Sequence, residues 1–436
     1  MSYRFRPLLA AVGLAFAFPA FATKPATKPA AKQEASAAAS SKADLELAHN
    51  FGAGGTERLQ VIVDRFNAES KDGSIVLVPL TKGAKPAALN FVRRHDMGEL
   101  LRQPVKFKPI YQMMADAKVP FNAADISVDL KAGVVDEKGR MVGLPIAYST
   151  PVLFYNKNAF RKAKLDADKP PQTWFEMQGV LDKLQEAGYT CPYTTSWPSW
   201  VHIDNVSSVS GVPAVSDKGQ LTFNGLPQVK HIAMMATWAK ANYFHLFGRK
   251  GEANEKFLSG ECAMITTDSW EHTVFRDAKG VELGVAMLPY HDDVYGGRQN
   301  TLADGAALWA GAGHSAAEYK VAAKFISFLL KPDMQVELVR TYGQLPLTGA
   351  ARIAAKSKIL RDRDESLEVA YASIKGQGAK TPLRVSNMDK VHMILDEELE
   401  AVWANKKPAK AALDVAVSRG NAVIAANPVL KKALPY

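Results

Sequence analysis

No catalytic signature runs through this sequence of 436 residues. It has no G-x-S-x-G nucleophile elbow, no Walker phosphate loop and no H-E-x-x-H zinc motif. The turn at Gly52 to Gly55 lacks the G-x-G-x-x-G spacing and offers at most backbone N–H groups to an anion. Nine histidines and two cysteines show no metal-ligand spacing, so neither a metal nor a cofactor is expected. His231 and His314 sit in plain helical or loop contexts and read as surface residues. The N-terminal apolar run falls well short of the ~20 residues that span a bilayer, which argues against an embedded protein. Lysine and arginine are spread along the chain without interleaved aromatics. The net charge of +10 therefore describes a solvated basic surface, not a nucleic-acid face. No internal repeat is visible.

What is present is a globular balance: 47% hydrophobic and 22% charged residues, enough for a real core. The length suits about two to three domains. Arg4 and Arg6, the apolar stretch Pro7 to Phe18 and the A-x-A site at Ala20 to Ala22 define a secretory signal peptide over 1–22. The expected destination is an oxidising compartment outside the cytoplasm. Residues 23–43 are mostly Ala, Lys, Pro and Ser, too poor in large apolar side chains to order themselves, and read as a disordered linker. Cys191 and Cys262 either pair in that oxidising compartment or stay as two buried thiols.

From Asp44 onward the pattern is α/β. Leu45–Ala48 and Ser74–Leu80 read as strands flanking a helix that Thr56 can cap. Thr173 and Glu176 form a capping box before a helix with Val180, Leu181 and Leu184 on one face. Asn224 and Pro227 open another helix. Cys262–Thr267 and Ala306–Gly311 are strands. The chain beyond about Lys356 is mostly helical.

The most strand-like segment, Gly143 to Phe160, is interrupted by Tyr148, Ser149, Thr150 and Pro151. A proline removes a ladder donor where a sheet needs one. Polar residues recur at other strand ends: His49-Asn50, Asp268-Ser269 and Asp304-Gly305. In open α/β sheets ligands sit beyond the carboxyl ends of strands, which suggests one shared cleft. For Asp268 a helix cap is the competing reading. In Ser196 to Asn205, Trp197 and Trp200 either close the core or form a stacking wall with free indole N–H groups.

The segments TPVLFYNKNAFRKAKLDADKPPQTWFEM, GRKGEANEKFLSGECAM and LDEELEAVWANKKPAKAALDVAVSRGN together resemble the bacterial extracellular solute-binding proteins of ABC importers. That resemblance implies a two-lobed periplasmic binding protein fold, with a hinge and a ligand cleft between α/β lobes. It places 44–149 and about 300–345 in the N-terminal lobe. It places 150–299 and about 346–436 in the other. The Tyr148–Pro151 break becomes the hinge crossing, with hydroxyls facing ligand. The resemblance places site residues at Lys85, Asp96, Ser149, Asp268, Gly305, Gln344, Arg384 and His392, and the stacking-wall reading adds Trp197 and Trp200. Several depart from the family's pattern. Asp268 replaces a cleft serine, Asp304 a glycine, Gln344 a tyrosine and His392 a phosphate-facing arginine, while Arg384 is retained.

Loss of an arginine and gain of carboxylates disfavour a phosphate dianion and suit a sugar or polyol. The expected function is a periplasmic receptor that captures a sugar, polyol or glycerol-3-phosphate-like ligand and delivers it to the transmembrane subunits of an ABC permease. It is expected to be a monomer and not an enzyme. The alternatives are a signalling or scaffolding binder, and a secreted glycosidase using paired carboxylates.

Overall fold

The computed structural model describes residues 43–51, 53–81, 85–93, 107–131, 134–136, 138–216, 218–294, 296–362, 366–374 and 388–426. Asp96, Arg384, the signal peptide and nearly all of the linker lie outside them.

The strands form two sheets. In the first, β1 (Ala43–His49) lies parallel between β2 (Gly73–Pro79) and β3 (Leu89–Arg93). The short β4 (Phe107–Lys108) and β5 (Leu144–Ser149) precede the exit from this sheet. The second sheet has β6 (Pro151–Asn156), β7 (Cys191–Thr195), β8 (Phe244–His245), β9 (Cys262–Asp268) and β10 (Leu283–Met287), in the order β10-β6-β9-β7-β8. The chain then returns to the first sheet as β11 (Asp304–Gly311), antiparallel to β3, β4 and β5.

Every residue of β5 and β6 is buried, as strands covered on both faces require. Thr150 alone separates them. Pro151 falls on the first residue of β6, a position where a strand tolerates a missing N–H. The link from β2 to β3 is only residues 80–88, and its described residues are not helical. Parallel strands of one sheet are ordinarily joined by a crossover of a dozen residues or more, usually a helix, and here the link also has to pass β1. Without that cover, Asp44 and Glu46 on β1 are exposed.

The capping box forms: the Glu176 backbone N–H donates to Thr173 Oγ1 at 3.0 Å, and the Thr173 N–H donates to Glu176 Oε2 at 3.2 Å. It opens the helix Trp174–Glu186, which buries Val180, Leu181 and Leu184. The first helix starts earlier than expected, at Ala53, so Thr56 is not its cap. The Thr56 hydroxyl donates instead to the Phe51 carbonyl and ties strand exit to helix.

The core of the first sheet includes Leu45, Leu89, Leu308 and Phe325. That of the second includes Trp174, Tyr193, Trp238 and Met264. Leu347, Ala355, Leu367, Tyr371 and Ile374 pack in the first core, so 347–374 departs from the expected assignment of everything after 346 to the second lobe. The cause is local. The Leu345 N–H donates to the Tyr148 carbonyl, and the Ser127 N–H donates to the Leu347 carbonyl. The helices Met388–Trp403 and Ala409–Ala425 instead pack with Ile203, Phe223 and Ile232. Cys191 and Cys262 are opposed in the parallel β7–β9 pair, with Cα atoms 4.5 Å apart, and form a buried disulfide.

Candidate functional site

Thr150, at the change of sheets, is fully buried. Its N–H donates to Ser269 Oγ at 3.3 Å, and its carbonyl accepts from the Ser269 N–H at 2.8 Å. Its hydroxyl meets Thr301 Oγ1 at 2.5 Å and accepts from Ser373 Oγ at 3.3 Å. Thr301 in turn donates from N and Oγ1 to the Ser373 carbonyl. This corrects the expectation that all the hydroxyls of the break face ligand: that of Thr150 is consumed in a knot of crossing segments.

Ser149 faces a carboxyl group. Strand register opposes Asp304 to Ser149 and Asp268 to Pro151, so the ends of β5, β9 and β11 converge. Burial pushes the Asp268 carboxyl up to about 6, and the nearby charge of Asp304 adds to this. Backbone N–H groups of the following turn and the Ser149 hydroxyl pull the other way. Glu271 ends that turn. Burial first, and the Asp268 charge next, push it up to about 8, against Arg58 and a hydrogen bond with Asn254. No sequence signal marked Glu271.

Gly305 was expected to offer its backbone to ligand, but its N–H donates to Asp304 Oδ1 at 2.7 Å. A Cβ there would lie 1.9 Å from the Ala147 carbonyl oxygen, so close strand approach accounts for the glycine. Gln344 is 3% exposed, and its Nε2 has no partner among the described residues. Its neighbour Gly343 packs against Trp270 and Leu345 bonds Tyr148, which brackets Gln344 between the end of β5 and the Ser269–Glu271 turn.

The tryptophans bring a second group of residues. Trp197 is partly buried, and its N–H donates to the Lys250 carbonyl. Trp200 opens a π-helical turn, Trp200–Asn205, and packs in the second core. Trp200 Nε1 is a buried donor without a partner among the described residues. Ser199 bonds Asp396, whose carboxyl burial pushes up to about 6 and whose Oδ1 is a buried acceptor without a partner among the described residues. An unfilled donor and an unfilled acceptor therefore flank Ser199. His392 Nε2 lies 2.9 Å from Asp204 Oδ2. Asp204 and Asp396 carried no sequence signal of their own.

Two links join these groups. Ser196 Oγ donates to Asn254 Oδ1 at 2.7 Å, and Asn254 reaches Glu271. Asn205 Nδ2 donates to the Trp200 carbonyl at 3.0 Å, while its Oδ1 accepts from the Leu302 N–H at 2.7 Å. Lys85 does not join them. It donates to the Gly313 carbonyl, past the Gly311 end of β11, whereas Asp304 begins that strand, ~25 Å away at ~3.3 Å per residue. The short β2–β3 link places Lys85 at the wrong end of the sheet. His231 is fully buried, and His314 bonds the Pro86 carbonyl at 2.9 Å and Glu318 at 3.0 Å, so neither is a free surface residue. A separate cavity of 1590 Å³ touches this region at Arg58 and Ser269 and is lined by none of the expected site residues.

Two α/β sheets joined by crossing segments, with polar side chains gathered at the strand ends beside the crossing, define the binding-protein class. Solved structures share this fold. The glycerophosphocholine complex of UgpB from Mycobacterium tuberculosis matches with TM-score 0.72 at 18% identity, covering 89% of this chain and 100% of that one. A cycloalternan-bound ABC substrate-binding protein from Listeria monocytogenes matches with TM-score 0.74 at 16% identity, covering 88% and 100%. The profile described as bacterial extracellular solute-binding protein matches residues 61–359. The sn-glycerol-3-phosphate-binding periplasmic protein of Pectobacterium atrosepticum is 34% identical over 409 residues, 87% of this chain and 91% of that protein. Its counterpart in Salmonella typhimurium is 34% identical over 392 residues, 83% and 88%. The chain belongs to the bacterial extracellular solute-binding proteins, receptors for ABC import. Among the described residues no helix is long and apolar enough to cross a membrane.

Proposed function

We propose that this receptor captures a neutral, hydroxyl-rich solute of the sugar or polyol class. The observation that carries the reading is the fate of His392. It stands where the family's phosphate-facing arginine is expected, and its Nε2 is already engaged by the Asp204 carboxylate at 2.9 Å. Around it the site is rich in carboxyl groups, with Asp268, Glu271, Asp304 and Asp396. Hydroxyl groups suit both orphaned groups, since a hydroxyl can accept from an indole N–H such as Trp200 Nε1 or donate to a carboxyl oxygen such as Asp396 Oδ1. The indole faces suit the C–H surfaces of a sugar ring.

In this reading the lobes close on the solute about the Thr150 knot. The protein acts as a monomer without catalysis, follows its signal peptide to the periplasm, and hands its cargo to an ABC permease. The second reading is a glycerol-3-phosphate or glycerophosphodiester ligand. It is favoured by the names of the curated relatives at 34% identity. A thermal-shift screen separates the two, using glycerol-3-phosphate, glycerophosphodiesters, neutral polyols and mono- and oligosaccharides on the mature protein. A ligand at 100 times its Kd adds ~2.7 kcal/mol and raises the midpoint by a few degrees. A shift with sugars or polyols alone supports the neutral class, and a shift with phosphates alone rejects it.

A further inference from the structure

Behind the tryptophan-bearing turn lies a file of three imidazoles. His202 Nδ1 is 2.9 Å from His231 Nε2, and His231 Nδ1 is 3.1 Å from His291 Nε2. At the inner end His202 Nε2 meets the Tyr193 hydroxyl at 3.3 Å, and that hydroxyl is 2.6 Å from Thr266 Oγ1. His202 and His231 are fully buried and His291 is 7% exposed. Trp174 packs 4.7 Å from His231 and 5.9 Å from His202, and Trp403 and Phe244 close over His202 at 6.0 and 6.2 Å.

A neutral imidazole has one donor and one acceptor nitrogen, so each ring of the file passes on one hydrogen bond and all tautomers point the same way. An imidazolium has two donors and no acceptor. A proton on His231 would set N–H against N–H at one neighbour. His202 lies within the Trp200–Asn205 turn, which also carries Asp204, the partner of His392. The file is thus a side-chain anchor for that turn.

We infer that His202, His231 and His291 are positioning residues for the candidate cleft: the neutral file holds the Trp200–Asn205 turn in place, and protonating it frees the turn before the rest of the chain unfolds. The inference rests on the cleft reading only in taking this turn as ligand-facing. The charged groups that reach the file are Lys230, Asp292 and Asp293, all at His291, with Lys230 itself paired to Asp293. The Tyr193 phenol closes the inner end. From the helices Trp174–Glu186 and Met388–Trp403 the rings of Trp174 and Trp403 face it.

Burial holds His202 down to about 3 and His291 to about 4. Burial first, and then the two neighbouring imidazoles, hold His231 well below its usual value. An exposed histidine titrates near ~6.5, so below that pH the opened state binds protons that the closed file refuses. The file is at full strength above ~6.5 and weakens as pH falls. Each refused proton shifts the equilibrium about tenfold per pH unit.

The test is ¹⁹F spectroscopy of the ligand-free mature protein labelled with 5-fluorotryptophan, with Trp200 assigned by Trp200→Phe, titrated from neutral pH downward beside far-UV circular dichroism. The expected result is that the Trp200 resonance moves between about pH 6 and 5 while far-UV ellipticity is unchanged. In His231→Gln, which keeps a donor and an acceptor but cannot take a proton, that movement weakens or shifts to lower pH. A Trp200 resonance that changes only together with ellipticity, at the same pH in both proteins, overturns the inference and leaves the histidines purely structural. Should His231→Gln not fold, imidazole ¹⁵N spectra of the unaltered chain decide. Three neutral rings at about pH 6 are expected, and ordinary titration near ~6.5 overturns it. No ligand enters either experiment, so failure here is distinct from failure of the proposed solute class.

Discussion

Thr150 and Thr301, 151 residues apart in sequence, meet hydroxyl to hydroxyl at 2.5 Å. Each lies on a segment where the chain passes between the two sheets, and Ser373 joins them from a third. The crossing is a buried polar knot that ties three segments together where the chain changes sheets.

Replacing Thr150 by valine keeps the shape and removes the shared hydroxyl. Thr301 Oγ1 keeps the Ser373 carbonyl and Ser373 Oγ keeps the Ala370 carbonyl, so the loss is that of the bonds to Thr150, about 0.5–1.5 kcal/mol for each. Urea unfolding should show that loss at an unchanged slope. An unaffected midpoint would mean the knot contributes nothing to the crossing.

Gly305→Ala forces a methyl group onto the Ala147 carbonyl. The obstacle is backbone on the neighbouring strand, which cannot rotate away. A loss of about 3 kcal/mol or failure to fold is expected, at the upper end of overpacking costs. Thermal denaturation measures it, and wild-type stability would reject the close β5–β11 approach.

The combined change Asp268→Ser, Gln344→Tyr and His392→Arg restores three side chains of the family's pattern. Like charges ~4 Å apart repel by ~4 kcal/mol at an effective dielectric of 20, so removing Asp268 alone should matter for an anion. Calorimetry with glycerol-3-phosphate should show affinity at least tenfold above the unaltered protein. Equal or weaker binding would show that these positions do not set ligand charge.

Glu271 supplies a pH dependence of opposite sign to the histidines. Its folded value near 8 is raised, so the fold favours the protonated form. The stability tied to it is present below the ordinary glutamate range and is lost as pH rises through about 8. Glu271→Gln should therefore stabilise the protein most at alkaline pH, by an amount on the order of a few kcal/mol. Midpoints at pH 6 and 9 check this, and a gain larger at pH 6 would contradict the assignment.

The disulfide joins neighbouring strands of the second sheet. Replacing both Cys191 and Cys262 by alanine should cost about 2–5 kcal/mol in denaturant unfolding under oxidising conditions. The same variant should match the unaltered protein unfolded in reductant. A difference that persists there would mean that packing, not the cross-link, is responsible.

Periodicity and capping residues located the elements because they act locally: Thr173 with Glu176 specified a helix start, and the apolar run before Ser149 a buried strand, whereas Ser74–Leu80, whose apolar run suits a strand covered on both faces, leaves Val76 exposed. The Tyr148–Pro151 break marked where the chain changes sheets. What escaped was set by tertiary neighbours. Thr150 looked like a cleft hydroxyl because sequence does not reveal Thr301 and Ser373 beside it. His231 looked peripheral because a histidine within a helix shows its polarity but not the two imidazoles that satisfy it. Glu271 gave no signal, since only convergence with Asp268 distinguishes it. Lys85 was misplaced because the β2–β3 connection is only residues 80–88, which sequence alone did not reveal.

β11 carries a consequence for the order of events in synthesis. It is the strand that β3, β4 and β5 all pair with, yet it is made only after every strand of the second sheet. While the ribosome is still short of residue 304, the second sheet has all its strands and the first sheet lacks the one that joins its parts. The strands of the nested sheet can therefore pair first, although the helices Met388–Trp403 and Ala409–Ala425 that cover part of that unit come last, and the surrounding sheet must wait with unpaired strand edges.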